Sequence, residues 1–361
     1  MDLRVALRPS DGGPKDAELA VSVSESRAGK AEEMPAGSHP VRLPGLGGRS
    51  IRLALEYGLL LVFLVVCVGL SFANEFFLTP DNLLNIGRQT APVLVVSVAM
   101  TLVVSTAGID LSVGAILAVM TTVLASLLQL GVPSWAAIAS VVLLSAAIGS
   151  VNGFFIAYQG IPAFVVTLAM LTSLRGVSLI ITEGRAIPIT DQTILAIGRR
   201  DLLGLPVPIV VSFLAVLLGA FFLGRTRFGT HILATGGNEE AARLVGVDVR
   251  RVKLAAYVLS GLASGVAALI ISGRVGAGSP NTGVGMELDA ITAVIIGGTN
   301  LFGGEGTVFG TLLGAFFVSV VGNGLTLLHI SPFYAQVITG LILLLAIWLN
   351  VRAYRVAASQ P

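Results

Sequence analysis

Cysteine and histidine are scarce in this chain of 361 residues, which contains one cysteine and three histidines. Cys67 has no second cysteine with which to form an intramolecular disulfide, and we interpret it as a small apolar residue within a hydrophobic run. His39, His231 and His329 are far apart, so no pair has the i,i+4 spacing of a metal-binding helix. These absences argue against a disulfide framework and against a histidine metal site.

Lysine is as rare as histidine, and no lysine belongs to a phosphate-binding loop of the form G-x-x-x-x-G-K-[ST]. Lys30 follows Gly29, but it has neither the upstream glycine nor the following hydroxyl. No pairing of a nucleophile with a base can be named either. We therefore expect a protein that is not an enzyme and that binds no cofactor or metal itself.

Charge of either sign is also low, because only 12% of the residues are charged whereas 55% are hydrophobic. Soluble domains have about 25% charged residues. The net charge of +2 is too small to indicate nucleic-acid binding. Several uncharged runs reach the roughly 20 residues that cross a bilayer core. The composition predicts an all-α membrane protein, a polytopic helical bundle.

We predict about ten transmembrane helices. They lie at residues 53–73, 91–107, 111–130, 134–158, 162–182, 207–223, 253–272, 287–299, 306–328 and 334–350. A single helix over 91–128 would be nearly twice as long as the bilayer core of about 30 Å, so this run must be broken. The predicted break is "TAGIDLS", where Gly108 weakens the helix and Asp110 or Ser112 can cap the next one.

A second break is predicted at "GGTNLFGGEGT", residues 297–307. The heptads "GIDLSVG" and "GTNLFGG" share Gly, an Asp or Asn, Leu and Gly at matching places, through either an ancestral repeat or chance. With ten spans the two copies would run in the same direction, which does not fit an inverted repeat of five plus five helices.

The distribution of basic residues near the span ends predicts the orientation. Eleven of them share a side with the N-terminus and five lie on the other, which favours cytoplasmic N- and C-termini. Residues 1–50 are polar, rich in Gly and Pro and without a signal-peptide core, and they predict a disordered cytoplasmic tail. Residues 51–355 form the predicted membrane domain, with a cytoplasmic loop at 224–253 and outward loops at 183–206 and 273–286.

The cytoplasmic loop contains a polar stretch, "GGNEEAARLVGVDVRRVK", at residues 236–253. Asn238 can cap a short helix whose first turn holds Glu239 and Glu240, and Gly246 can end it. Leu244 and Val245 would be free to dock into a groove of a partner, while Ala241 and Ala242 leave a shallow surface. The alternative is a solvated loop helix without a partner.

Four motifs carry a resemblance to a known family. "EAARLVG", at 240–246, resembles the E-A-A-x-x-x-G loop through which ABC importer permeases engage their ATPase subunits. "GIDLSVGA" at 108–115, "GNEEAARLVGV" at 237–247, "LSGLASGVAALI" at 259–270 and "IIGGTNLFGGEGTVFGTLLGAF" at 295–316 are similar to ribose/xylose-type carbohydrate permeases, in the same order. The long polar N-terminal tail departs from that family.

The resemblance implies an importer of the bacterial inner membrane that moves a small neutral sugar. Its expected partners are an ABC ATPase subunit that binds ATP and Mg, a periplasmic sugar-binding protein and a second permease copy. The helix that starts after Asn238 would transmit closure of the ATPase as a rigid body. Gly261, Ser264 and Gly265, and also Gly310 and Gly314, are expected to allow close helix packing.

Polar residues inside spans are costly and tend to face a pathway or a partner. The candidates for a pathway or gate are Asp110, Asn152, Asn300, Glu305 and Asn323. Helix capping is the alternative for Asp110 and Glu305, and hydrogen bonding between helices is the alternative for the asparagines at 152 and 323. Arg175 is expected to reach the interface or to pair with a carboxylate.

Two other functions remain open at this stage. A permease for branched-chain amino acids or another small polar solute would have the same architecture. A secondary transporter would need a coupling-ion site at broken helices, and the two Gly-rich breaks are the places for one. The low number of charges within the spans disfavours ion coupling.

Overall fold

The computed structural model describes residues 60–331 and, between 333 and 348, all but 335, 336, 339, 343 and 346. The predicted tail, residues 1–50, lies outside the described residues. The described helices are α1 (Leu60–Ala73), α2 (Pro80–Ser105), α3 (Val113–Gln129), α4 (Ser134–Ala157), α5 (Ala163–Thr182), α6 (Gln192–Arg199), α7 (Val207–Arg225), α8 (Arg227–Gly237), α9 (Glu239–Leu244), α10 (Val249–Val275), α11 (Met286–Ile296) and α12 (Val308–Leu327). The described residues between 333 and 348 are helical as well.

Six helices, α2, α4, α5, α7, α10 and α12, are long and apolar enough to cross a membrane, so the chain is a multi-pass membrane protein. The predicted spans 53–73, 111–130 and 287–299 overlap shorter helices, and the described residues of 334–350 are helical. The predicted span 287–299 corresponds to α11, whose 11 residues cover about half of a bilayer core. The six long helices are thus fewer than the ten predicted crossings.

The predicted start of the second span, at residue 91, is wrong. Helix α2 begins at Pro80, because Thr79 accepts a hydrogen bond from the backbone N–H of Asn82 and proline suits the first turn. The polar residues near Arg88 and Gln89 lower the local hydropathy and hide this part of the helix in the sequence.

Helices α2, α3 and α10 form the centre of the bundle. In the most apolar stretches of α2 and α10, 83% and 61% of the residues are buried, whereas α4, α5 and α7 bury fewer than a third. The apolar side chains that these three helices expose are suited to lipid or to another membrane subunit.

Glycines allow α4 and α10 to approach closely, as predicted for Gly261 and Gly265. A Cβ added at Gly149 or Gly261 would collide with the backbone of the opposite helix, and one at Gly265 would collide with the side chain of Ser145. Gly314 of α12 packs in the same way on Ala293 of α11. Small residues of this kind are typical of tight helix pairs in membranes.

Two antiparallel pairs of short strands lie outside the helices. Strand β1 (Ile187–Pro188) pairs with β4 (Ala277–Gly278), and β2 (Asp201–Leu202) pairs with β3 (Leu205–Pro206). The β1–β4 pair joins the two loops that the sequence predicts on the outward side, so both loops lie at the same face of the bundle.

Part of the second outward loop packs along one side against a helix. Segment 277–285 lies along α3, with Gly278 against Thr121 and Gly283 against Gly114. Irregular backbone at this depth is tolerated only where protein covers it or where it lines a cavity. The segment is therefore a packed part of the membrane domain rather than a simple loop.

Candidate functional site

Helix α9 begins and ends where the sequence predicts. The side chain of Asn238 accepts a hydrogen bond from the backbone N–H of Ala241 at 2.9 Å, and Gly246 has the positive φ, 89°, that suits glycine after a helix. The helix covers Glu239–Leu244. The polar stretch is thus a short capped helix between the long helices α7 and α10.

The two faces of α9 differ in exposure. Leu244 and Val245 are 81% and 80% exposed, and Glu240 and Ala241 are exposed too. Ala242 is only 3% exposed and faces the body of the protein, so it is not part of the shallow outer surface that the sequence suggested. The surface offered by α9 is an apolar pair beside a carboxylate.

Glu239 fixes α9 to the next long helix. Its carboxylate lies 2.5 Å from Arg243 Nη2, within α9, and 2.5 Å from Lys253 Nζ, on α10. Partial burial raises the pKa of the Glu239 carboxyl, but the hydrogen bonds and charges of Lys253 and Arg243 outweigh it, so the pKa lies below its ordinary value. Lys253 therefore serves as the partner of Glu239 as well as a basic residue near a span end.

The first break brings Asp110 and Asn152 into one buried cluster. Asp110 accepts hydrogen bonds from the backbone N–H of Ser112 at 2.9 Å, from its hydroxyl at 2.6 Å, and from the hydroxyl of Ser260 at 2.7 Å. Asn152 donates to the Ser112 hydroxyl at 2.9 Å, and its buried side-chain oxygen has no hydrogen-bond partner in the described residues. The cluster joins α3, α4 and α10.

Tyr257 of α10 packs against the same break. Its hydroxyl donates to the carbonyl of Ile109 at 3.3 Å, and a Cβ at Gly108 would lie 2.6 Å from that hydroxyl. Ala107 adopts a left-handed conformation with φ of 61°, which is strained for a residue with a side chain. A cavity of about 260 Å³ separates this strained backbone from α9, and its lining includes Thr106, Gly108, Tyr257, Glu239 and Arg243.

The second break lies against the first. The backbone N–H of Gly304 donates to the carbonyl of Ser105 at 3.1 Å, and Gly303 packs on Ala107 and on Gly236 of α8. Asn300 accepts a hydrogen bond from the N–H of Phe302 at 3.0 Å, the same turn that Asp110 makes with Ser112. The two breaks thus share a local turn as well as part of their sequence.

Glu305 lies in the same loop and its residue is exposed. The cap of α12 is Thr307, whose hydroxyl accepts from the N–H of Gly310, so capping by Glu305 is not observed. Asn300 and Glu305 both lie near the Gly236 end of α8 and outside the buried Asp110 cluster.

Asn323 is placed far from the other candidates. It forms two hydrogen bonds with Asn82 of α2, at 2.9 and 3.1 Å, and the exposed fractions of the two residues are 4% and 9%. This is the interhelical alternative that the sequence left open.

Arg175 is partly buried and forms no ion pair within 4 Å in the described residues. Its guanidinium donates to the carbonyls of Pro280 and Thr282 in segment 277–285, at 2.9 and 2.8 Å. Gly114 leaves space for the Glu287 carboxylate, one oxygen of which is buried without a hydrogen-bond partner in the part of the chain that the structure describes. Arg175 thus holds the irregular segment in place from α5.

Sequence reasoning missed Ser260, Tyr257, Asn82 and Glu287. Tyr257 and Ser260 follow Lys253 at the i+4 and i+7 positions, a spacing that puts polar groups on one face of a helix and that was visible in the sequence. Asn82 and Glu287 gave no local signal, because their neighbours come from distant parts of the chain.

Comparisons with known proteins agree on one family. Residues 82–347 match the model of a family described as branched-chain amino acid transport system / permease component.

The chain is 40% identical over 299 residues to the ribose import permease protein RbsC of Escherichia coli strain K12, covering 81% of this chain and 92% of that protein. It is 37% identical over 300 residues to RbsC of Haemophilus influenzae, covering 82% and 93%. It is 37% identical over 292 residues to the L-arabinose transport system permease protein AraH of E. coli K12, covering 81% and 89%. No solved structure is significantly similar to the chain.

Proposed function

The chain belongs to the family described as branched-chain amino acid transport system / permease component, and we propose that it is the permease subunit of an ABC importer for a small neutral sugar. The relatives named ribose and arabinose permeases match along most of their length, which supports a sugar as the cargo. The observation that carries the proposal is α9, a capped helix that exposes an apolar pair in a chain of this family.

ATP hydrolysis belongs to a separate subunit in this proposal. That ATPase binds ATP and Mg and docks on the exposed face of α9, where Leu244 and Val245 enter a groove and Glu240 lies beside them. A periplasmic binding protein delivers the sugar to the opposite side, and a second permease copy completes the pathway. The exposed apolar surfaces of α4 and α5 are available for that copy or for lipid.

The proposed topology has both termini in the cytoplasm and ten membrane-embedded segments, of which α11 is a half-length one. The excess of basic residues near α9 and near the chain ends supports this orientation. The pairing of β1 with β4 supports it too, because the two loops proposed to face outward are joined.

The polar candidates divide into three roles. We assign Asp110 and Asn152 to a gate at the first break, Asn300 and Glu305 to its cytoplasmic exit, and Asn323 to a helix contact. The few charges within the long helices suit a neutral cargo, which must leave a site as readily as it enters.

Reconstitution tests the proposal. The chain is placed in proteoliposomes with the ATPase and the binding protein of the same system, and uptake of radiolabelled ribose, arabinose and xylose is measured with and without ATP. Uptake of one sugar that requires ATP supports the proposal. Uptake without the ATPase that collapses with a proton or sodium gradient would identify a secondary transporter instead.

A permease for branched-chain amino acids is the second candidate, because the description of the family names that cargo. Labelled leucine, isoleucine and valine are included in the same assay with each binding protein. ATP-dependent uptake of an amino acid but of no sugar would favour this candidate.

A further inference from the structure

We propose that Lys253, Tyr257 and Ser260 of α10 form a coupling stripe, through which a movement of α9 displaces the first break, residues 106–112. The inference rests on the proposed function, since it describes how an ATPase acting on α9 would reach the gate. It makes these three residues positioning residues for the gate at Asp110.

The stripe follows from the geometry of the helix. Positions i, i+4 and i+7 lie on one face, and seven residues of α-helix rise about 10 Å. Lys253, Tyr257 and Ser260 occupy these positions on α10, and each contacts a residue of α9 or of the break. A single rigid element thus connects the proposed docking surface with the buried cluster.

The first contact is an ion pair. Lys253 Nζ lies 2.5 Å from Glu239, and the lysine side chain is only 20% exposed. Partial burial weakens the screening of the pair by solvent and limits the freedom of the lysine stem, so the pair holds α9 to α10 more firmly than a surface ion pair would. Arg243 binds the same carboxylate and keeps it oriented.

The second contact is made by the ring of Tyr257, which is 1% exposed. Its hydroxyl bonds to the carbonyl of Ile109 and lies against Gly108, so the phenol is attached to the break by one hydrogen bond and one packing contact. The adjacent Ala107 is strained, because a left-handed conformation is unfavourable for a residue with a side chain. Strained backbone persists only where the surrounding structure supports it, and Tyr257 is part of that support.

The third contact reaches Asp110. The hydroxyl of Ser260 donates to one carboxylate oxygen at 2.7 Å, while Ser112 occupies the other. A shift of α10 therefore pulls on a carboxylate that is itself bound to the start of α3. Ser260 and Asp110 are both fully buried, so water does not compete for this hydrogen bond, which makes the contact suited to passing on displacement.

The glycine contacts with α4 keep the displacement from being absorbed. Gly149 and Gly261 bring the two backbones together, so α4 and α10 move as one unit. Asn152 of α4 bonds to Ser112 and adds a second connection from the same unit to the break.

The experiment measures sugar transported per ATP hydrolysed by the reconstituted importer. The variants are Ser260→Ala, Tyr257→Phe and Lys253→Met, each of which removes one contact of the stripe with little change in shape. We expect the ratio to fall about tenfold, because hydrolysis continues while the gate follows it poorly; a tenfold change corresponds to about 1.4 kcal/mol. Ser260→Thr and Lys253→Arg restore the hydroxyl and the charge, and should restore the ratio.

Two matched controls isolate the stripe from general effects. Ser264→Ala removes a buried hydroxyl one turn further along α10, where it bonds only to the carbonyl of Ser260. Arg251→Met removes an exposed charge that pairs with Asp248. Both controls should keep the ratio of the unaltered protein.

The outcomes separate this inference from the proposed function. If the unaltered complex shows no ATP-dependent uptake, the proposed function fails. If it does, and Ser260→Ala and Tyr257→Phe keep the ratio of the unaltered protein, the coupling stripe is wrong. An equal loss of hydrolysis and transport also overturns it, since that pattern indicates only a structural role. Should Ser260→Ala fail to assemble with the ATPase, Tyr257→Phe decides.

Discussion

Replacing the buried asparagine pair tests whether Asn323 stabilises the helix bundle or lines the pathway. The structure gives the pair two mutual hydrogen bonds, and Asn82 makes a third to the carbonyl of Phe77 at 2.9 Å. Interhelical hydrogen bonds in membrane proteins contribute about 0.6 kcal/mol on average and about 1.7 kcal/mol at most. Asn82→Ala, Asn323→Ala and the double variant should therefore show a coupling energy of about 1–3 kcal/mol.

The free energy of unfolding is measured by denaturant titration in detergent micelles, with helix content as the signal. The loss in free energy of unfolding of each single variant should exceed half of the loss of the double variant. The reason is that each single variant leaves one buried amide without its partner. Asn82→Ala combined with Thr326→Ala is the matched control. Thr326 lies three residues from Asn323 and bonds within its own helix, so this pair should be additive.

A coupling energy of zero between Asn82→Ala and Asn323→Ala would refute this reasoning. The reasoning is also refuted if Asn323→Ala remains folded but changes which sugar is transported, since that result would place Asn323 on the pathway. If the interhelical role is right, uptake per folded molecule stays within about twofold, because the pair makes no contact with the gate cluster.

Three further predictions follow from packing, polar contacts and charge. Gly261→Leu should lower the free energy of unfolding by about 1–3 kcal/mol in the same titration, because the added side chain meets the α4 backbone. Arg175→Lys should slow ATP-dependent uptake, because the lysine side chain is one bond shorter and does not reach the position of Arg175 Nη1, which donates to two carbonyls of segment 277–285. The pKa of Glu239 is lowered from 4.5, so the stability that its ion pairs contribute is present above about pH 4.5 and is lost as the pH falls through the lowered pKa; the protection of the α9 amides against hydrogen exchange, measured relative to the intrinsic exchange rate at the same pH, should decrease there.

Each of these predictions has its own contrary result. Gly176→Leu is the control for helix packing, since no atom lies within 4 Å of a Cβ there, and equal destabilisation by both leucines would show that the α4–α10 approach is unimportant. Uptake by Arg175→Lys equal to that of the unaltered protein would show that transport does not depend on the contacts of Arg175 with segment 277–285. Glu239→Gln should abolish the loss of protection in α9 at low pH, and a loss that persists in this variant would have another source.

Local signals in the sequence predicted local structure well. Asn238 and Gly246 mark the ends of α9 because a cap and a positive φ depend only on adjacent residues. The break near Gly108 was predicted because the apolar run was too long for a single crossing. The close packing at Gly261 was predicted from small residues at helical spacing, and the structure confirms it.

Long-range contacts could not be predicted in this way. Asn82 and Asn323 are 241 residues apart, and nothing in either neighbourhood specifies the other. Segment 277–285 has the glycine and proline content of a surface loop, and only the fit of Gly283 against Gly114 shows that it packs against α3. The partner-facing role first given to Ala242 failed for the same reason, since the composition of a short helix does not say which face turns inward.

The contact between the two breaks has a consequence for biogenesis. Ser105 receives its hydrogen bond from Gly304, about 200 residues later in the chain, and ribosomes add about 5–20 residues per second. During synthesis the first break therefore waits about 10–40 s for the backbone that covers it. Over that interval its carbonyl and the strained turn at Ala107 must be hydrated or shielded by the insertion machinery, so a chain truncated before residue 304 should be a preferred substrate for membrane quality control.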